Sequence, residues 1–348
     1  MAPPPLKAIA AGFLVAVSLL YMLRLDETRF LSTAAGTKPS ANKQDETIPN
    51  VVNLVYLMES ERDNLAFEFS HFLSVYSAWH HLGPKSIYLH TNADASTIQR
   101  ARWGQTGKWA RLLLEIPGLQ IRQVVSPNVT TREGGHDQVI RFAEHKSDFV
   151  RVEAARELGG LYIDFDVFVL RDLQPLRNAG FGAVVGREVT DQVNSGIFLT
   201  RPHGKLISQW AEDMPRLYDG GWVTHSNLAL TNIAEKLVAD APGEVLIMER
   251  NAFAPGGWGN ADYDHLWATH ESNDTQDSSW QVDWSRTYML HAFMPYRARH
   301  KVHGFHRLHP RYVLGRRSNF ARALYPVVSL LHKEGVVDWN DTFDGLEA

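Results

Sequence analysis

Short apolar runs alternate with segments of helical spacing along most of the chain. Residues 50–58 and 86–90 are rich in β-branched and aliphatic side chains, as expected of buried strands, and residues 65–82 place large apolar side chains at helical spacing. Such alternation favours an α/β fold, in which helices flank a sheet. The same patterns predict strands within 111–125, 161–169, 182–185 and 197–200, and helices over 142–158, 204–218 and 227–239.

An acid pair, Asp164 and Asp166, interrupts the apolar run at 161–169. Residues two apart in a strand face the same side, so both carboxylates can reach one cation where a strand ends. Mg²⁺ and Mn²⁺ prefer oxygen ligands and commonly take the remaining ligands from phosphate and water. In α/β sheets, ligands bind beyond the carboxyl ends of the strands. The pair therefore predicts a divalent metal site facing a phosphorylated ligand.

The helix predicted just upstream carries a second charged pair. Asp148 and Arg151 are three residues apart and share one helix face. Gly159 and Gly160 then end the helix with a left-handed turn and lead into the next strand. The unit consists of a helix, a glycine stop, a strand and an acid pair.

This unit resembles the DxD region of the retaining glycosyltransferases of family 32, which share the pattern Ser-Asp-x-x-Arg, a helix and Gly-Gly-x-Tyr-x-Asp-x-Asp. The family includes fungal Golgi mannosyltransferases and animal α-1,4-galactosyltransferases, and the close match covers residues 146–176. The resemblance implies a GT-A type, Rossmann-like mixed sheet flanked by helices. It also implies Mn²⁺- or Mg²⁺-dependent transfer of a hexose from a UDP- or GDP-linked sugar to a glycan or glycolipid. Retention of configuration would come from front-face attack or from double displacement.

The resemblance further implies roles for individual residues. Asp166 is expected to bind the metal directly, whereas Asp164 is expected to contact the ribose and sugar and is a candidate second metal ligand. Asp148 and Arg151 are expected to bind hydroxyls of the donor sugar, and Tyr162 is expected to pack beside the nucleotide.

Two candidates lie further downstream. Asn194 precedes a predicted strand, as similar residues do beside the sugar pocket of retaining transferases, but ordinary turn chemistry explains it equally well. His291 lies in an apolar segment and is a candidate third metal ligand, because related enzymes place a His or Asp near the end of the catalytic domain. A hydrogen-bonded core histidine is the alternative, and His270 and His300 are competing candidates.

Three other residues have open interpretations. Glu188 and Asp191 lie in the loop before Asn194 and either stabilise a developing oxocarbenium ion or are solvated, which we favour. Trp258, in the glycine-rich segment 256–260, either stacks on an acceptor sugar or belongs to a structural loop, and we favour the loop.

Histidines recur every three residues from His300 to His309, which suggests a zinc site. Gly304 and Pro310 break any helix that would align them, and a strand would place successive members on opposite faces, so we predict a basic loop instead. Residues 297–322 contain no acid. They face a diphosphate, an anionic acceptor, a membrane surface or simply solvent.

The amino-terminal region predicts a membrane anchor. Residues 8–23 are apolar apart from Ser18 and lie between Lys7 and Arg24, which is near the lower length limit for a spanning helix. A cleaved signal peptide and a buried helix are the alternatives. We divide the chain into an anchor (1–25), a polar lumenal stem (26–48), a catalytic domain (49–316) and a carboxyl-terminal helix and tail (317–348).

The anchor predicts a single-pass type II protein of the Golgi or ER membrane with a lumenal catalytic domain. Glycosylation sequons at Asn128, Asn273 and Asn340 agree with that location. The formal net charge of −4 gives no indication of nucleic-acid binding. The chain has no cysteine, which excludes disulfides and thiolate chemistry.

Two other functions compete for the same acid pair. A haloacid-dehalogenase-type phosphohydrolase also uses Asp-x-Asp at a strand end, but that class needs Thr or Val where this chain has Phe168, and no Gly-Asp-x-x-x-Asp follows. A non-catalytic lumenal binding protein on a transferase scaffold is the second alternative, against which the intact acid pair argues.

Overall fold

The computed structural model describes residues 47–60, 63–131, 135–270 and 279–346. The predicted anchor (1–25) and nearly all of the predicted stem (26–48) lie outside these ranges, as does the sequon at Asn273. Among the described residues, no helix is both long and apolar enough to cross a membrane.

The strands follow one another with helices between most of them. In chain order they are β1 (Val51–Tyr56), β2 (Ser86–Thr91), β3 (Leu119–Gln123), β4 (Val129–Thr131), β5 (Asp137–Val139), β6 (Gly160–Ile163), β7 (Val167–Val169), β8 (Ala183–Arg187), β9 (Val193–Thr200), β10 (Val245–Met248) and β11 (Met289–His291).

The helices range from four to sixteen residues in length. They are α1 (Phe69–Leu82), α2 (Ala95–Arg102), α3 (Lys108–Leu114), α4 (Ala143–Leu158), α5 (Gln174–Arg177), α6 (Lys205–Leu217), α7 (Ala229–Asp240), α8 (Arg250–Phe253), α9 (Asn260–Trp267), α10 (Pro310–Leu314) and α11 (Asn319–Lys333). A π-helix, Thr224–Leu228, leads directly into α7, and 3₁₀ helices occupy Trp284–Arg286 and Pro295–Ala298.

Seven strands form one mixed sheet in the order β10-β8-β9-β6-β1-β2-β3. Strand β9 runs antiparallel to both of its neighbours, whereas the other pairs are parallel. The amino end of β9 therefore lies at the same sheet edge as the carboxyl ends of β6 and β1. The prediction of an α/β fold with a mixed sheet flanked by helices is confirmed.

The core lies on both faces of this sheet because side chains alternate along its strands. Leu54 and Leu161 pack on the face covered by α1, α3 and α11. Val55 and Tyr162, their neighbours in sequence, pack on the opposite face, which α4, α6 and α7 cover. Burial on both faces explains why the strands read as continuous apolar runs.

Three predicted elements differ from the observed ones. The first part of 111–125 is helical, because Trp109, Ala110, Leu113 and Leu114 are buried at helical spacing in α3. The run at 161–169 is two strands in different sheets, β6 and β7, with the acid pair in the turn between them. Strand β9 begins at Val193, so Asn194 lies inside a strand and not in a loop before it.

Gly159 and Gly160 join α4 to β6 as predicted, with φ of 63° and 86°. The Gly159 N–H donates to the Ala155 carbonyl at 2.9 Å and ends the helix. A Cβ on Gly160 would overlap Val51, with the Val51 carbonyl oxygen only 2.5 Å away. The close approach of β6 to β1 therefore requires glycine here.

We expect Gly160→Ala to lower the free energy of unfolding by about 3 kcal/mol, since it combines positive-φ strain with overlap against backbone atoms. Gly243→Ala is the matched control, because Gly243 has a similar φ of 90° and nothing within 4 Å of the added Cβ. It isolates the φ cost, about 1 kcal/mol. Urea denaturation measures both variants, and equal losses would show that close strand approach contributes nothing.

Candidate active site

The acid pair occupies a tight turn between two sheets. The Asp164 N–H donates to the Gly196 carbonyl at 2.9 Å, and the Val167 N–H donates to the Asp164 carbonyl at 3.1 Å. Strand β7 then pairs with β11, which places Val167 opposite His291. The backbone therefore fixes the distance between Asp166 and a histidine far away in sequence.

Asp164, Asp166 and His291 form a candidate metal centre. One potential ligand atom from each lies within 4.8 Å of the others, and this is the only such group of three among the described residues. His291 Nε2 is 3.2 Å from an Asp166 carboxylate oxygen. Carboxylates are ligands that Mn²⁺ and Mg²⁺ prefer, and imidazole binds several divalent transition metals, so this donor set suits a divalent cation. The structure thus brings together the three residues predicted as metal ligands, and their role remains a prediction.

Gly196 supplies the room for this cluster. A Cβ at this position would lie 2.5 Å from an Asp164 carboxylate oxygen and 3.1 Å from His291 Cε1. Any side chain here would push the acid and the imidazole apart. Gly196 therefore belongs to the site because it has no side chain.

The predicted donor-binding residues lie beside the acid pair. Arg151 is 2.8 Å from an Asp148 oxygen and 3.4 Å from an Asp164 oxygen, and it donates to the Ser195 carbonyl at 3.0 Å. Tyr162 donates to Asp164 at 2.7 Å, and the Arg151 guanidinium lies over its ring. Asp148, Arg151 and Tyr162 are all buried.

The two acids differ electrostatically. Removal from water raises the pKa of Asp164 despite the Arg151 guanidinium, and the negative charge of Asp166 raises it further. Burial acts in the same direction on Asp166, but the His291 imidazole and Arg297 guanidinium outweigh it and lower the pKa of Asp166 to about 2. Asp166 is therefore the more persistently ionised carboxylate.

Asn194 links the metal candidate to a buried acid. Its amide nitrogen lies 2.7 Å from a Glu188 carboxylate oxygen and 3.0 Å from His291 Nδ1, and its amide oxygen accepts from the Gly196 N–H at 2.7 Å. Glu188 is only 2% exposed, so the interpretation of this acid as solvated is wrong. Burial raises its pKa. Asp191 is exposed in the turn between β8 and β9.

The π-helix contributes two residues that the sequence did not reveal. His225 Nε2 lies 2.9 Å from Asp148, on the carboxylate oxygen that Arg151 does not contact. Asn227 donates to Glu188 at 2.7 Å and accepts from the Ser195 N–H at 3.0 Å. Short π-helical segments are often found at functional sites. The apolar pattern predicted only the helix that follows, and a π-helix has no distinctive sequence signal.

Two clefts meet at the acid pair. The larger, of about 630 Å³, runs from Asp148 past Asn194 to Trp222 and Trp258. The smaller, of about 420 Å³, lies against the carboxyl end of β1. Both are lined by a common set of polar residues, Glu144, Arg151, Asp164, Asp166 and Arg297.

The carboxyl-terminal histidines do not gather around a metal. His300 lies 2.9 Å from Asp264, His309 caps the start of α10, and His270 stacks on Trp280. Residues 301–309 lie outside the regular helices and strands, as predicted for a loop, and His300, His309 and His270 have separate partners. Of the basic residues in this region, Arg297 and Arg307 line the smaller cleft.

Known proteins resemble this chain in sequence or in structure. Glucan organizing enzyme 1 of Cryptococcus neoformans var. grubii is 24% identical over 285 residues, which are 78% of this chain and 69% of that protein. Among solved structures, the apo form of the glycosyltransferase GlyE of Streptococcus pneumoniae aligns with a TM-score of 0.42 at 12% identity, covering 83% of this chain and 64% of that one. The PaToxG glycosyltransferase aligns with a TM-score of 0.39 at 14% identity, covering 57% and 71%.

A family model described as the glycosyltransferase sugar-binding region containing the DXD motif matches residues 71–181. The matched range contains Asp148, Arg151, Tyr162 and the acid pair, which the structure places around the junction of the two clefts. Motif, site geometry and the matched range lead to the same conclusion: residues 71–181 are a DXD-containing glycosyltransferase sugar-binding region, and the protein is a glycosyltransferase.

Proposed function

We propose that this glycosyltransferase moves a hexose from a UDP- or GDP-linked sugar to a glycan or glycolipid, with retention of configuration. The observation that carries the proposal is the position of the acid pair between two clefts. A nucleotide sugar has two chemically different ends joined by a diphosphate, and the acids lie where that diphosphate would join them.

The smaller cleft suits the nucleoside end. Rings of Tyr56, His71, Phe165 and Tyr296 line it together with the Arg307 guanidinium. Flat aromatic rings pack well against a base, and ligands of α/β sheets commonly bind beyond the carboxyl ends of the strands. This arrangement supports a GT-A type architecture for the domain.

The larger cleft suits the hexose. Asp148 and Arg151 line this cleft. Partners on α4, β9 and the π-helix hold their hydrogen-bonding groups in place, so little conformational freedom is lost when a sugar hydroxyl binds. Glu188 places a further carboxylate along the same wall, and both of its oxygens accept amide hydrogen bonds at 2.7 Å. Those bonds fix Glu188 in place, which favours its action as a fixed negative charge and favours front-face attack over a covalent glycosyl intermediate.

Asp166, Asp164 and His291 would hold Mn²⁺ or Mg²⁺. When bound there, the ion supplies positive charge that stabilises the leaving diphosphate. Arg297 adds to this charge from the protein, since its guanidinium lies 3.9 Å from Asp166 and lines both clefts.

We place the enzyme in the Golgi or ER membrane as a type II protein, on the strength of the apolar residues 8–23. The two described sequons support a lumenal domain, because Asn128 and Asn340 are both exposed.

Expressed in a eukaryotic cell, the full chain should carry endoglycosidase-sensitive glycans at these two asparagines. Asn128→Gln and Asn340→Gln should each remove one mobility step on a gel. An unmodified chain that fractionates with cytosolic proteins would contradict this location.

For the full-length enzyme, we expect metal-dependent hydrolysis of one UDP- or GDP-sugar and a product that retains the donor's anomeric configuration by NMR. Asp166→Asn should reduce this hydrolysis by about 100-fold or more, because it removes a charged metal ligand. It should also weaken Mn²⁺ binding measured by calorimetry.

Glu212→Gln is the matched control, since it removes an exposed carboxylate from α6 outside both clefts. It should leave both measurements unchanged. Full activity in Asp166→Asn would disprove the metal centre, and a wild-type enzyme that hydrolyses no UDP- or GDP-sugar would disprove the donor assignment.

His225 should act as a positioning residue for Asp148. We expect His225→Ala to lower kcat/KM for the donor by about tenfold, chiefly through a higher KM, because loss of a positioning hydrogen bond typically has this size of effect. His225→Gln keeps a donor near the Asp148 carboxylate and should recover part of the loss. A change in melting temperature alone, with unaltered donor KM in both variants, would assign His225 a structural role only.

A further inference from the structure

Two tryptophans stand exposed at the mouth of the larger cleft. Trp222 is 61% exposed and Trp258 is 43% exposed, yet both line the cleft that contains the acid pair. Large aromatic side chains bury much apolar area when they bind, and exposed ones near a site commonly mark an interaction surface.

Trp222 is held by its neighbours along the chain and by tilted rings packed against it. Asp219 accepts hydrogen bonds from the Gly221 N–H at 2.7 Å and from the Thr224 hydroxyl at 3.0 Å, which fixes the turn on both sides of the indole. The indole packs on His145, with ring centroids 5.3 Å apart, and His145 packs on His225 at 4.8 Å. His225 in turn contacts the carboxylate of Asp148.

Trp258 is likewise held by packed aromatic rings. Its ring meets Phe293 edge to face at 5.4 Å, and Phe293 stacks on His291 at 3.9 Å. Phe293 has a φ of 35°, which is rare for a residue with a bulky side chain. Such strain persists where the surroundings enforce it and is concentrated at functional sites. The Trp258 ring is therefore held by a residue that packs directly on a metal-ligand candidate.

Polar groups line the same cleft as the two indoles. Thr190, Gln192 and Asn194 line the wall of the cleft, and His145 Nε2 is buried without a hydrogen-bond partner among the described residues. A buried polar atom beside a cleft is normally satisfied by water or by a ligand group. A lipid chain could not satisfy these groups, whereas a pyranose ring offers both a face of C–H groups and a rim of hydroxyls.

We propose that Trp222 and Trp258 form the acceptor-binding site and that the acceptor is an oligosaccharide whose sugar rings lie against the two indoles. The proposal rests on the function proposed above and specifies its acceptor: sugar rings, and not a lipid chain or a protein surface, are what the enzyme recognises. One indole adjoins the groups around Asp148 and the other adjoins those around His291, so a sugar between them lies across the opening to the donor hexose.

The test uses the full-length enzyme, its best donor and short manno-, gluco- and galacto-oligosaccharides. Donor consumption is measured with and without each saccharide, which separates transfer from hydrolysis. We expect one saccharide to be glycosylated, and Trp222→Ala and Trp258→Ala each to raise its KM by about tenfold and to lower the ratio of transfer to hydrolysis. Trp222→Phe and Trp258→Phe keep an aromatic face and should recover most of the effect.

Trp103→Ala is the matched control, because Trp103 is 67% exposed and lies outside both clefts. It should leave the ratio of transfer to hydrolysis unchanged. An unaltered ratio in both cleft variants would overturn the proposal, as would glycosylation of a lipid or protein acceptor without any oligosaccharide.

Saccharide binding detected by saturation-transfer NMR separates this proposal from the donor assignment. If no donor is hydrolysed but saccharide binding is lost in the two alanine variants, the acceptor site stands and the donor assignment fails. If the wild-type enzyme neither binds nor glycosylates any of the saccharides, or if the alanine variants bind them as well as the wild type does, the acceptor proposal is wrong.

Discussion

The arrangement of the site depends on one buried guanidinium. Arg151 joins its own helix to the end of β6 through Asp164 and to β9 through the Ser195 carbonyl. It also forms an ion pair with Asp148, which lies one turn earlier in the same helix. Without it, two carboxylates would lie close together in a partly dry interior with no shared counter-charge, which is strongly unfavourable. A buried ion pair adds little net stability compared with packed apolar side chains, so we attribute its presence to the orientation of the groups proposed to bind the sugar.

The two acids of the pair have different neighbours. Asp164 is tied to Arg151 and to the Tyr162 hydroxyl, whereas Asp166 faces His291 and Arg297. Burial and the negative charge of Asp166 raise the pKa of Asp164 against the opposing effect of Arg151, whereas His291 and Arg297 lower the pKa of Asp166 despite its burial. Environments that separate paired acids in this way usually give them separate tasks. The separation supports the expectation that Asp166 binds the metal while Asp164 mainly contacts the donor.

Sequence patterns predicted the parts of the structure that depend on residues close together in the chain. The helix carrying Asp148 and Arg151, its glycine stop and the strand before the acid pair follow from spacing within one short segment. A short apolar run, however, does not distinguish strand from buried helix, and α3 was misassigned for that reason. Likewise, the apolar run through the acid pair gave no sign that β6 and β7 enter different sheets.

The remaining site residues depend on contacts between distant segments. Glu188 is buried because Asn194 and Asn227 enclose it, and neither contact follows from the turn sequence around the acid. His225, on the π-helix, contacts Asp148 on α4, far away in sequence. His291 was found through a family resemblance, since only the antiparallel register of β7 and β11 brings it to Asp166. Sequence reasoning could therefore identify the acids and their neighbours within residues 148–166, but not the contacts that distant segments make with them.

The shortness of β11 has a thermodynamic consequence. A two-stranded ladder of three residues is marginal by itself, and its local opening would separate His291 from Asp166. A ligand that binds both residues stabilises the paired state of β7 and β11 by mass action. The free energy of separating the two strands therefore contributes to the apparent affinity for that ligand. Phe168 in β7 packs on Phe320 of α11, with ring centroids 4.9 Å apart. If Asp166 and His291 bind a cation as we propose, loosening the contact between this ladder and the carboxyl-terminal helix would weaken that binding without changing either residue.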